Sequence, residues 1–136
     1  MSCRSVKQEL FDMYCEELKD EQGYSICMLY GYPQQIRDYT FHHIDPKRKG
    51  GVGTVDNGAL LCKWEHNKFN FIEQHNKKTA ANINDGFMEF KETPTQLILK
   101  QLKAYKEWAL SEYGYEEEHN MYLRKYNGQC NERYRR

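Results

Sequence analysis

The chain has no excess of either charge: twenty Lys and Arg balance twenty Asp and Glu. The strongly basic footprint of a non-specific nucleic-acid binder is therefore missing, and any contact with a polyanion has to come from local patches. No run of about 18 apolar residues occurs, so no membrane span is expected. The segment Met1-Ser2-Cys3-Arg4-Ser5-Val6-Lys7-Gln8-Glu9 lacks the apolar core of a secretory signal, and a cytoplasmic setting is expected. Cysteine is sparse and irregular, five residues in all. That odd number does not make a secreted disulfide framework, so free thiols are expected. Internal repeats are also lacking. What remains is a length of 136 residues, which favours one domain with one modest core. Eleven tyrosines argue for a globular chain over a disordered one.

The chain is organised around Phe41–Phe71, FHHIDPKRKGGVGTVDNGALLCKWEHNKFNF. A β-branched and aromatic run, Tyr39-Thr40-Phe41, ends in His42 and His43. A basic loop with Pro46, Gly50 and Gly51 follows, then Asp56-Asn57, the apolar run Ala59-Leu60-Leu61-Cys62, and a polar segment from Glu65 to Asn70. This order reads as strand, loop, strand, helix. Adjacent strand side chains point to opposite faces, so His42 and His43 serve different roles unless a bulge brings them together. On a helix His66 and Asn70 share a face. Imidazole is both a common transition-metal ligand and a base suited to neutral pH.

Taken in this order and spacing, the His-His pair, the Pro and Gly-Gly loop, Asp-Asn, Leu-Leu-Cys and the helical His-Asn resemble the HNH endonucleases, the ββα-metal nucleases. The resemblance covers roughly a quarter of the chain. It implies an α+β fold with a central ββα-metal motif over 39–75, flanked by an N-terminal helix and C-terminal helices, in a single nuclease domain over 1–136. It implies that His42 and His66 hold one divalent ion, with Asn70 or Asn67 as a further ligand. It implies that His43 is the general base and that Asn57 orients His43 or ties the loop down. Lys47, Arg48 and Lys49 lie beside this site and are candidate phosphate contacts. Two imidazoles tilt the site from Mg²⁺ toward Mn²⁺, Ni²⁺ or Zn²⁺. DNA is the implied substrate, with hydrolysis of its phosphodiester bonds.

Many HNH proteins carry a zinc knuckle of two Cys pairs. Here Cys27 and Cys62 occupy the first positions of the two pairs, while Tyr30 and Glu65 stand where the second cysteines would be. That is a poor thiolate set. No structural zinc is expected; Cys27 and Cys62 should still lie together, with Tyr30 and Trp64 packing in place of the metal.

Outside the motif, Val6, Leu10, Phe11, Tyr14 and Leu18 share one helical face, predicting a helix over 5–22 capped by Ser5 and stopped at Gly23. Residues 76–85 read as a loop or a loosely helical connection, and 86–91 alternates like an edge strand. Thr93-Pro94 reads as a helix start. From Thr95 to about Tyr113 a stripe of Leu97, Ile98, Leu102, Tyr105, Trp108 and Ala109 predicts a core helix ending at Gly114, the start of a C-terminal helical extension over 94–136. From Tyr115 onward the chain is rich in tyrosine and charge. It reads as a tail, or as a basic aromatic arm on nucleic acid. The rival functions are a catalytically silent HNH-like binding module and an accessory subunit with a protein partner in a phage or mobile-element complex.

Overall fold

Gly58–Cys62 is an uninterrupted apolar run, and all five of its residues are buried. Such a run needs cover on both faces, and the chain supplies it with helices. The structure, a computed structural model, describes residues 3–45 and 54–115. The run forms β2, paired antiparallel with β1 (Tyr39–His43); Phe41 lies opposite Leu60, His42 opposite Ala59 and His43 opposite Gly58. Cys62, extended at φ −67° and ψ 153°, leads without a loop into α2 (Lys63–His75). Strand, strand and helix thus follow in the expected order, and the architecture is α+β.

Preceding the hairpin, α1 (Cys3–Tyr14) buries Val6, Leu10 and Tyr14 and sets Phe11 against the Tyr39 ring. It ends eight residues short of the predicted 22, and Ser5 lies within it rather than capping it. The reason is the chemistry of Asp20 and Gly23. The Asp20 carboxylate accepts the backbone N–H groups of Gln22 and Tyr24, and Gly23 takes φ 88°, closing a tight turn. Lys19 bridges Ser25 across it. Leu18 stays buried; its amide still bonds the Tyr14 carbonyl four residues back at 2.8 Å, so it keeps the face of α1 just past the end of that helix.

Of the two readings of 76–85, loop or loosely helical connection, the helical one holds, and the edge strand expected over 86–91 is instead its continuation: both form one helix, α3 (Lys77–Glu92), with Asn76 as N-cap accepting from the Lys78 and Thr79 amides. Thr79, Ala80, Ile83, Phe87 and Phe90 are its buried residues, and the steps of three and four from Ala80 onward belong to a helix. The strand-like alternation failed because Phe87 and Phe90 are three apart and face inward together, whereas Met88 is exposed. Gly86 sits mid-helix because a Cβ there would come within 2.3 Å of Leu102, so its absence lets the next helix approach.

That helix, α4, runs Gln96–Glu112. Its cap is Thr95, accepting from the Ile98 amide, while Thr93 closes α3; the predicted Thr93-Pro94 start is corrected accordingly. Gly114 at φ 71° ends it as expected. The buried face is Ile98, Leu99, Leu102, Lys106 and Ala109. Leu97 and Trp108, both placed in the stripe from sequence, are exposed at 65% and 50%. The C-terminal extension beyond Tyr115 and the loop residues Lys47, Arg48 and Lys49 lie outside the described residues.

Candidate metal centre

Thr40 and His42 alternate onto the same face of β1, the face that α2 covers. There the Thr40 hydroxyl lies 2.8 Å from His66 Nδ1 and donates to the Leu61 carbonyl at 2.8 Å. His42 Nδ1 lies 3.3 Å from His66 Nε2. The other nitrogen of His42, Nε2, lies 2.8 Å from Asn84 Oδ1, which comes from α3. Phe69 and Phe87 close over the His42 ring, with centroids 4.4 and 5.5 Å away.

This apolar cover sets the protonation. Burial pushes His42 down to about 4, opposed by its hydrogen bond to Asn84 and reinforced by the neighbouring charges of His66 and His43. His66 is lowered by burial and then by His43. Both rings are therefore neutral at pH 7, the form that binds metal. Stability follows with a definite sign. In the unfolded chain His42 titrates near its ordinary 6.5, so between about pH 6.5 and 4 the unfolded state holds a proton that the native state refuses. Stability is unaffected above that window and falls as pH drops through it, by about 3 kcal/mol from this residue. Urea unfolding of the metal-free chain at pH 7 and pH 4.5 should show the loss, and His42→Gln should flatten the slope.

His43 lies on the opposite face, half-buried, with its ring edge-on to Phe41 at 4.9 Å. The ladder is regular through its pair with Gly58, so no bulge swings it toward His42. It stands at the last rung, where the chain leaves the sheet. Just beyond, buried Asn57 ties that exit together. Its Oδ1 accepts from the Asp45 amide and its Nδ2 donates to the Asp45 carbonyl, both at 2.9 Å, while its own carbonyl accepts from Ile44 N–H. These bonds tie Asn57 to Ile44 and Asp45 at the strand exit. Sequence reasoning missed Lys91, whose ammonium from α3 reaches the carbonyls of Val55, Asp56 and Gly58 at 2.5, 3.1 and 2.7 Å and so grips both flanks of Asn57. Asn70 and Asn67 are both exposed on α2; Asn70 shares the His66 face by its four-residue spacing.

The knuckle region keeps its topology. Cys27 Sγ accepts from the Leu29 and Gly31 amides at 3.4 and 3.2 Å, and Tyr30, in the place of a second cysteine, takes φ 68°. Cys27 and Cys62 do meet. Burial opposes ionisation of Cys27, yet the Cys62 thiol and the backbone N–H donors hold it below the ordinary thiol range. Burial, and donation to Cys27, push Cys62 well up. Both sulfurs and the Glu65 side chain crowd Gly31, where a Cβ would meet all three within 3.2 Å. Tyr30 and Trp64 pack on the core as expected. Unforeseen was the charge. Lys106 from α4 brings its ammonium 2.6 Å from Glu65 Oε1 and 2.8 Å from the Leu29 carbonyl, with both side chains about 5% exposed. Lys68 takes the other carboxylate oxygen at 3.0 Å.

Whether the residues suit a metal ion can be tested on distance. Two imidazole nitrogens bound at about 2.0–2.1 Å to one tetrahedral ion are roughly 3.3 Å apart, the separation found between His42 Nδ1 and His66 Nε2. Among the described residues no group of three His, Cys, Asp or Glu side chains could hold an ion. Among the described residues, then, the His42–His66 pair is the arrangement with ligand-like spacing, and an ion between them would need its remaining positions filled by water, phosphate or an amide oxygen.

Comparison with known families adds one finding. Residues 27–70 match the HNH endonuclease family model. No curated protein and no solved structure matches the chain. The matched segment runs from Cys27 to Asn70 and takes in His42, His43, Asn57, Cys62 and His66. Asn84, Lys91 and Lys106 fall outside it.

Proposed function

We propose that this HNH-type chain is a metal-dependent endonuclease that hydrolyses phosphodiester bonds in DNA, using His43 as general base and one divalent ion held by His42 and His66. The observation that carries the reading is the pair of neutral imidazole nitrogens facing each other at 3.3 Å, one rung from a half-exposed histidine at the strand end. An ion bound there supplies Lewis-acid stabilisation of charge on the scissile phosphate and the departing oxygen. His43 takes a proton from the attacking water. Asn57 and Lys91 hold the strand exit from which His43 projects. Lys47, Arg48 and Lys49 contact the phosphate backbone, and Asn70 or Asn67 adds a ligand. Mn²⁺ and Mg²⁺ are the leading ions, Ni²⁺ or Zn²⁺ the alternatives. A cytoplasmic setting, a phage or mobile-element origin and a partner within a larger complex belong to the same reading.

The two-histidine ligand count favours a second reading, a binding module without catalysis. Supercoiled plasmid incubated with the chain and each of Mg²⁺, Mn²⁺, Ni²⁺ or Zn²⁺ distinguishes them. The nuclease reading expects nicking that EDTA abolishes and that His66→Ala loses. Retained, salt-sensitive DNA binding without nicking under any ion supports the binding module.

A further inference from the structure

Helix α3 lies beyond the matched segment, yet one of its side chains reaches the centre. We propose that Asn84 is a positioning residue. It fixes the tautomer of His42 so that His42 Nδ1 and His66 Nε2 both present lone pairs to one cation. The inference rests on the metal-centre reading above and adds to it a residue of α3, which lies outside the matched segment 27–70.

Counting protons fixes both tautomers. The Leu61 carbonyl can only accept, so the single hydroxyl proton of Thr40 is committed to it at 2.8 Å. The lone pair left on Thr40 then accepts from His66, which places the His66 proton on Nδ1. At the other end Asn84 Oδ1, also an acceptor only, faces His42 Nε2 at 2.8 Å, which places the His42 proton on Nε2. A neutral imidazole has one N–H. Both are now spent at the far ends, and the two nitrogens left facing each other at 3.3 Å carry lone pairs. Facing lone pairs repel unless a cation lies between them. Holding each ligand histidine by its remote N–H is how outer partners set ring orientation and basicity. Asn84 is itself held, because Ile83 and Phe87 on either side of it are buried and the Phe87 ring packs on His42.

The opposite turn of the Asn84 amide gives a different molecule. Its NH₂ would donate to His42 Nε2, His42 Nδ1–H would donate to His66, and the chain of hydrogen bonds would close with no demand for an ion. Nitrogen-15 NMR of the metal-free, full-length chain at pH 7 separates the two. The proposal requires His42 protonated at Nε2, with Asn84→Leu mixing the tautomers; a His42 proton on Nδ1 in the wild type overturns it. Calorimetric titration with Ni²⁺ gives the second readout. Asn84→Leu should weaken binding roughly 10–100-fold, whereas Asn84→Asp, whose carboxylate only accepts, should stay within a few-fold of wild type. A merely structural asparagine would lower unfolding stability in both variants without separating their Ni²⁺ affinities, and equal affinity of wild type and Asn84→Leu also overturns the proposal. Absence of Ni²⁺ binding by the wild type would sink the metal reading instead, while the tautomer measurement still decides the role of Asn84.

Discussion

His43→Ala should reduce metal-dependent nicking of supercoiled DNA by roughly 10²–10⁴-fold, the range contributed by a positioned general base. The expectation is specific because the two adjacent histidines are segregated by the strand. His42 faces the buried side toward His66 and Asn84, so the His42–His66 pair survives the substitution. His43 faces the other side, half-exposed against Phe41, and its ladder pairing with Gly58 uses backbone groups only. The loss should therefore fall on kcat, with DNA affinity, Ni²⁺ affinity and urea midpoint near wild type. Nicking that persists within a few-fold of wild type would remove His43 from the reaction and point to a different base.

The largest effect on stability is expected at Lys106. Lys106→Met keeps the aliphatic stem but strips the ammonium from a Glu65 carboxylate that is 5% exposed and removes the donor to the Leu29 carbonyl. Breaking a buried pair by deleting one partner costs about 3–5 kcal/mol, because the other charge stays behind. Lys68, still 3.0 Å from the second oxygen, keeps the cost toward the lower end. The double variant Lys106→Met with Glu65→Leu should regain most of the loss, since an apolar pair of similar volume replaces both charges. Urea unfolding of the four proteins of this cycle checks it. A single-variant cost below about 1 kcal/mol would show that solvent or Lys68 already satisfies Glu65, and Lys106 would lose its standing as the counter-charge that Glu65 requires.

What was legible in the sequence was whatever repeats at short range. The β-branched Tyr39-Thr40-Phe41 run, the apolar Ala59–Cys62 run and the Leu102–Ala109 spacing each carry their own period, and β1, β2, α2 and α4 followed. The site histidines were legible for a different reason: their motif is contiguous. α3 was not, because Gly86 and the alternation around Met88 imitate a strand and its capping asparagine is an ordinary turn residue. Asn84, Lys91 and Lys106 were invisible in principle. Each acts across 33 to 77 residues of chain, and a lysine inside an apolar stripe reads as a solvated side chain until a buried carboxylate is found opposite it.

That long separation has a consequence for how the protein comes into being. Translation delivers Glu65 41 residues before Lys106, an interval of about 2–8 s at ordinary elongation speeds. During that interval the hairpin and α2 can form, but the carboxylate they enclose has no ammonium from α4 and the knuckle carbonyl of Leu29 has no donor. The ion pair that joins α4 to α2 thus cannot form until Lys106 has been synthesised, later than every other residue of the knuckle.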